Sequence, residues 1–226
     1  MKVRLNWIVI SVFTLGLSTS SSAADASLLK PPRGAKVAVV MFEDLQCPEC
    51  ARAYAVVLEA ASAHRIPVVL HDFPLPMHNW AFDAAVWARY FDKTSRDMGN
   101  DFRKFIYANQ IQITQDNLQQ WVQKFAGENK TAVVPVPDPD RKLAEQVRAD
   151  YLLGQRIGVE HTPTIWVVSN RGVSQPLVED VKVREKLGPM IEDILSKVQP
   201  VAAVEVNSAP KAGRKKITVK TPKKAG

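Results

Sequence analysis

Cysteine is nearly absent from this 226-residue chain, with only two, at positions 47 and 50. A stapled framework of the kind that holds small secreted domains together needs more than one pair. No glycine-rich loop follows the first candidate strand, which argues against a nucleotide-dependent enzyme. Long hydrophobic runs are missing too. The one apolar run near the N-terminus, residues 7–17, is shorter than the roughly 20 residues that a membrane-spanning helix needs, and no cysteine follows it to carry a lipid. The basic residues near the C-terminus have no aromatics between them, which argues against a nucleic-acid partner.

At 46% hydrophobic and 23% charged residues, the chain has the composition of one globular domain with a proper core and terminal extensions. Lys2 and Arg4 precede the apolar run, and Ser21, Ser22 and Ala23 place small side chains where a signal peptidase reads, so residues 1–23 are expected to be a cleaved secretory signal. Of the net charge of +7, residues 1–23 carry +2 and residues 201–226 carry +6, leaving about −1 for the rest. The basic balance therefore belongs to the ends and says little about the folded domain. Residues 24–34 read as a leader, residues 35–200 as the domain, and residues 201–226 as a disordered basic tail, either solvated without a specific role or binding an acidic surface.

Both cysteines lie in Cys47-Pro48-Glu49-Cys50. Two intervening residues let the sulfurs meet across one helical turn, which suits either a small-loop disulfide or two ligands of one zinc ion. Residues 36–42 form an apolar strand candidate, and residues 48–63 are alanine-rich with apolar positions at helical spacing. Cys47 thus falls at a helix N-terminus, where free backbone N–H groups and the helix dipole favour a thiolate. Pro48 suits the first helical position. Cys47 is the expected solvent-reachable nucleophile, and Cys50, one turn inward, the resolving thiol. Glu49 opposes the dipole and repels a thiolate, so the disulfide should be a milder oxidant than the strongest of its kind. Export to an oxidising compartment favours the redox reading over the zinc one.

Residues 66–72 read as a second strand, parallel to the first through the helix, which puts the cysteine pair at the carboxyl end of a βαβ unit. From residue 79 to residue 155 the pattern is helical, and Trp80, Trp87 and Trp121 read as helical core. A proline-rich break at residues 134–139 precedes the last helix of this block, residues 141–155. Residues 164–168 and 173–178, joined at residues 170–172, read as an antiparallel hairpin. A final amphipathic helix spans residues 184–198.

The residues from Phe42 to Cys50, then Phe73, Pro74, Leu75 and His78 with Ala81, Ala84 and Ala85, then Tyr107 to Gln110, and finally Gly158 to Thr164, follow one another in a recognisable order. In this combination the chain resembles the DsbA-like branch of the thioredoxin superfamily, in particular the bacterial exported group called thioredoxin-like family 4. The resemblance implies an α/β thioredoxin fold with a helical domain, about residues 77–157, inserted after the second strand. It implies that Thr162-Pro163 is the cis-proline dipeptide beside the disulfide, offering backbone hydrogen bonds to a bound client, with Thr162 contacting the sulfurs. Two positions depart from the family. The buried acid that many relatives carry six residues before the nucleophile is Met41 here, which leaves Glu43 or Asp44 to serve, Asp44 matching an acid that caps the loop. Glu160 and His161 stand where relatives often have glycine.

His161 reads first as an exposed loop histidine near substrate, with tuning of the Cys47 thiolate or a metal site with the sulfurs as alternatives. His71 and His78 read as satisfying local hydrogen bonds. The catalytic set expected is Cys47, Cys50, Thr162 and Pro163, with no cofactor. The function expected is an exported, periplasmic, monomeric thiol:disulfide oxidoreductase acting on client proteins, in the oxidase direction, reoxidised by a quinone-linked membrane partner. The rivals are a reductase recharged by a membrane dithiol donor, and a metal-carrying or chaperone-like module that uses the same cysteines as ligands.

Overall fold

The structure is a computed structural model that describes residues 25–178 and 180–198. The expected signal and basic tail lie outside the described residues. Three strands form a sheet in the order β2-β1-β3. Strand β1 (Val37–Glu43) runs parallel to β2 (Val68–Asp72) and antiparallel to β3 (Thr164–Ser169). All seven residues of β1 are buried, because this central strand has a covered face on each side and so can be apolar at every position. Val37, Val39 and Met41 point into one core, and Ala38, Val40 and Phe42 into the other.

The crossover from β1 to β2 is α1 (Pro48–Ala63), with the bounds that its alanine-rich sequence predicts. Between β2 and β3 lie α2 (Ala81–Asp92), α3 (Arg96–Asn109), α4 (Leu118–Glu128) and α5 (Lys142–Arg156), and α6 (Asp180–Lys197) closes the fold against α1 and β3. The inserted helices meet through a trio of rings, Phe91, Phe102 and Phe125, with centroids 4.8–5.1 Å apart. Trp80 and Trp87 are buried in this core as the spacing predicts. Trp121 sits at its edge under the Lys124 ammonium, which is 4.7 Å from the ring centroid.

The expected hairpin is only partly formed. Residues 173–178 return along β3 through two isolated bridges, Val168 to Val173 and Ile165 to Leu177. Between them Pro176 has no N–H to donate, and the Val167 N–H donates to the Ser174 hydroxyl at 2.9 Å. Sequence periodicity shows the return path, but these two residues break the ladder.

Two buried ion networks join the helical insertion to the sheet. The fully buried Arg103 of α3 donates to Glu43 at 2.9 Å and to both carboxylate oxygens of Asp92 at 3.1 Å. Arg89 of α2 bonds Asp72 at 2.5 Å and also bonds Asp150 of α5, whose other oxygen meets His71 Nδ1 at 2.6 Å. These pairs fix how the insertion sits over the carboxyl ends of β1 and β2.

Helix α5 needs glycine at position 154, because a Cβ there would lie 2.5 Å and 2.6 Å from two atoms of the Phe73 ring and 3.1 Å from Phe42. The Phe73 ring is stacked on Tyr151 and set edge-on to Phe42, so it has little room to yield. Gly154→Ala gains about 1 kcal/mol of helix propensity but incurs about 1–3 kcal/mol of overpacking. A net loss of up to about 2 kcal/mol is expected in urea unfolding. Increased stability would show that the Phe73 ring moves freely.

Candidate active site

Strand β1 delivers the chain to a short loop, and that loop is fixed by the buried Asp44. The Asp44 carboxylate accepts from the Gln46 N–H, the Leu75 N–H and His78 Nδ1, each at 2.7 Å. Burial raises its pKa, while the three hydrogen bonds pull the other way. The Asp44 main chain reaches both cysteines, its carbonyl accepting from the Cys47 N–H at 3.0 Å and its N–H donating to Cys50 Sγ at 3.4 Å. Just past the end of α3, the Gln110 side chain donates to the carbonyls of Leu45 at 2.7 Å and Cys47 at 3.1 Å.

Cys47 is the N-cap of α1 and Pro48 its first residue. No side chain caps this helix end, which leaves its N–H groups to the sulfur. Both cysteines are free thiols. The Cys47 pKa is lowered from 9.0 to about 6, first by the hydrogen bond from the Cys50 thiol. Burial opposes the shift, and the backbone N–H groups of Cys50 and Glu49 and the Thr162 hydroxyl assist it.

The Glu49 side chain is half exposed and faces Arg52 at 3.9 Å. Its expected repulsion of the thiolate is therefore diluted by a cation and by water, while its N–H contributes on the favourable side.

Cys47 is only 6% exposed, less open than the sequence leads one to expect. It is recessed rather than enclosed, because it lies in an open cavity of 640 Å³. Leu75, Met77 and Val178 make the apolar part of the cavity wall, Glu49 and Arg52 a charged part, and His78, His161 and Thr162 the remainder.

Thr162 reaches this cavity from the turn just before β3 and Pro163 follows it, both buried, and the bond between them is cis. The Cys47 thiol donates to the Thr162 carbonyl at 3.2 Å. Thr162 Oγ1 is buried without a partner in the dithiol, a donor held in reserve for an ionised sulfur.

Cys50 is fully buried, and its pKa is pushed well above the ordinary value, first by burial and then by its hydrogen bond and charge interaction with Cys47. Glu43 adds to that rise. Glu43 itself is buried between Arg103 Nε and the Tyr107 hydroxyl, at 2.9 Å and 2.8 Å, and burial pushes its pKa up to about 7 despite the arginine. Met41, where the resemblance implies an acid in many relatives, is an ordinary buried core residue.

The four residues expected at the site, Cys47, Cys50, Thr162 and Pro163, thus meet at one end of the sheet, and His161 stands exposed at the rim. Sequence reasoning missed the Arg103–Glu43–Tyr107 cluster and the placement of His78 in the cavity wall. A signal for the first was present, since Arg103 lies on the stripe of α3 that also holds Gly99, Phe102, Ile106 and Tyr107. Among the described residues no group of three or more His, Cys, Asp or Glu is arranged to hold a metal ion.

The family model Thioredoxin_4, described as thioredoxin, matches residues 33–181. The structure of Wolbachia pipientis alpha-DsbA1 is similar at a TM-score of 0.58 and 14% identity, covering 76% of this chain and 98% of that one. The thiol-disulfide exchange protein alpha-DsbA2 of the same organism gives a TM-score of 0.56 and 15% identity, with 74% and 85% covered. A periplasmic thioredoxin-like protein from Salmonella enterica serovar Typhimurium gives 0.57 and 16%, with 74% and 88% covered. At such identities these structures establish the fold, a thioredoxin fold carrying a helical insertion. No curated protein matches the chain. With the family match spanning residues 33–181 and the fold in agreement, the chain belongs to the thioredoxin-like family 4 of the thioredoxin superfamily.

Proposed function

We propose that the protein is an exported thiol:disulfide oxidoreductase that passes the Cys47–Cys50 disulfide to client proteins. The observation that carries this reading is the inequality of the two sulfurs. Cys47 sits in an open cavity at the positive end of a helix with a pKa of about 6, while Cys50 is sealed beneath it with its pKa raised. In the oxidase direction a client thiolate attacks Cys47 Sγ, the Cys47–Cys50 bond breaks, and its electron pair goes to Cys50, which takes a proton. A second client thiolate then attacks the client sulfur and Cys47 leaves as thiolate. The client ends oxidised by two electrons and the enzyme reduced by two.

Cys50 needs a proton at the first step, because its raised pKa makes the bare thiolate a poor leaving group. Glu43 is assigned as its source. It is buried, its charge acts on Cys50, and with a pKa of about 7 it is protonated in a large fraction of molecules near neutrality and increasingly below it. It takes the place that Met41 leaves vacant, with Asp44 engaged in holding the loop. Thr162 and Pro163 are assigned to the client-binding wall, Thr162 also supplying a donor to the Cys47 thiolate.

The oxidising setting implied by residues 1–23 supports a periplasmic location and the oxidase direction, with a membrane redox partner that reoxidises the pair. The periplasmic description of the Salmonella relative agrees with that location.

Two measurements check the assignment on the full chain. Thiolate absorbance of the reduced protein should titrate with a midpoint of about 6, and the step should vanish in Cys47→Ser; a midpoint at the roughly 8.5 of a free thiol would count against the nucleophile. The Cys50→Ser variant should accumulate mixed disulfides with a reduced, unfolded client through Cys47. A variant that binds metal and traps nothing would turn the assignment to a metal carrier.

A further inference from the structure

The active-site cavity holds a base that the exchange chemistry above leaves unused. Attack on the Cys47–Cys50 disulfide requires a client thiolate, and an ordinary client thiol, with a pKa of about 8.5, is mostly protonated near neutral pH. His78 lines the same cavity as Cys47. Its side chain is 18% exposed, and its Nδ1 bonds the fully buried side chain of Asp44 at 2.7 Å. A carboxylate on Nδ1 fixes the ring and makes Nδ1 the protonated nitrogen of the neutral imidazole, so Nε2 carries the lone pair. Nε2 has no hydrogen-bond partner among the described residues.

None of the other three histidines combines these features. His161 lines the cavity, but its ring has no hydrogen bond among the described residues. His71 is anchored by Asp150 but lies outside the cavity, and His64 bonds the Ala60 carbonyl at the far end of α1. The His78 anchor is also tied to the reacting pair, since Asp44 bonds the Cys47 N–H and Cys50 Sγ through its own main chain. The ring therefore keeps a fixed station relative to Cys47. Leu75, Met77 and Val178 give the cavity an apolar wall on one side.

Building on the oxidoreductase reading, we infer that His78 is the general base for the incoming client: its Nε2 takes the proton of the client S–H as that sulfur bonds Cys47 Sγ, and then releases the proton to solvent. The proton that Cys50 gains enters separately, so charge and mass balance. The other charged and titratable groups facing the cavity are Asp44 from the β1–α1 loop, Cys47, Glu49 and Arg52 from α1, and His161 from the turn before β3.

The test is the rate of mixed-disulfide formation between the oxidised full chain and a single-cysteine peptide, measured between pH 5 and 8 by acid quench and mass spectrometry. If preformed thiolate were the only attacker, the rate would rise about tenfold per pH unit until Glu43 loses its proton at about pH 7. With His78 as base, the wild type should instead bend away from the tenfold slope below that point. His78→Asn keeps an amide donor for Asp44 and removes the base. It should restore the tenfold slope and slow the reaction on the order of a hundredfold where the wild type first bends away. A wild-type profile that follows the peptide thiolate up to about pH 7 overturns the inference whether or not the variant folds. So does a folded His78→Asn variant with the wild-type profile, and either result leaves the oxidoreductase reading standing. Absence of any mixed disulfide with wild-type protein would overturn both.

Discussion

One buried carboxylate sets the geometry on which the site depends. Asp44 leaves the end of β1 and gathers the Gln46 N–H, the Leu75 N–H and the His78 ring, which ties the loop before α1 to the loop after β2. That anchor, with Gln110 on the Leu45 and Cys47 carbonyls, brings the chain into α1 with Cys47 at the cap. The cap position in turn supplies the N–H groups that stabilise an ionised sulfur. Burying an acid has a cost, visible in its raised pKa, and the three short hydrogen bonds offset it.

The second constraint is the separation of the two sulfurs by environment. They are three residues apart, yet one lies in an open cavity and the other is in the core, because a single turn of α1 carries the chain from the end of the sheet into the interior. Burial raises the inner thiol, and that thiol's hydrogen bond is the largest influence lowering the outer one. The polarisation is thus built by the pair itself and only assisted by Thr162 and the helix. The Arg103 network beneath performs a related task. It holds a carboxyl group in the interior close enough in charge terms to act on Cys50, and the arginine restrains that group from rising further.

Much of this was legible in the chain. The bounds of α1 follow from Pro48 and the alanine-rich stretch, and the burial of β1 on both faces from its unbroken apolar run. The placing of Thr162-Pro163 beside the cysteines rested on resemblance, since no local pattern joins residues 115 positions apart. The ion networks escaped for the same reason: Glu43 and Arg103 are 60 residues apart, and His71 and Asp150 are 79. A charged residue on an otherwise apolar helical stripe, as Arg103 is, was the one hint available. The return strand failed as a ladder because Pro176 and Ser174 act through hydrogen bonding, which hydrophobic alternation does not report.

The account stands on stabilisation of the reduced pair by an acidified Cys47, and the equilibrium with glutathione measures that directly. A Cys47 pKa of about 6 lies between the roughly 7 of thioredoxin and the roughly 3.5 of the strongly oxidising DsbA. Their couples stand at about −270 mV and about −120 mV, so the Cys47–Cys50 couple should fall between these values. A potential at or below about −270 mV would contradict the account by showing no added stabilisation of the dithiol, and one at or above about −120 mV by showing far more than these residues supply.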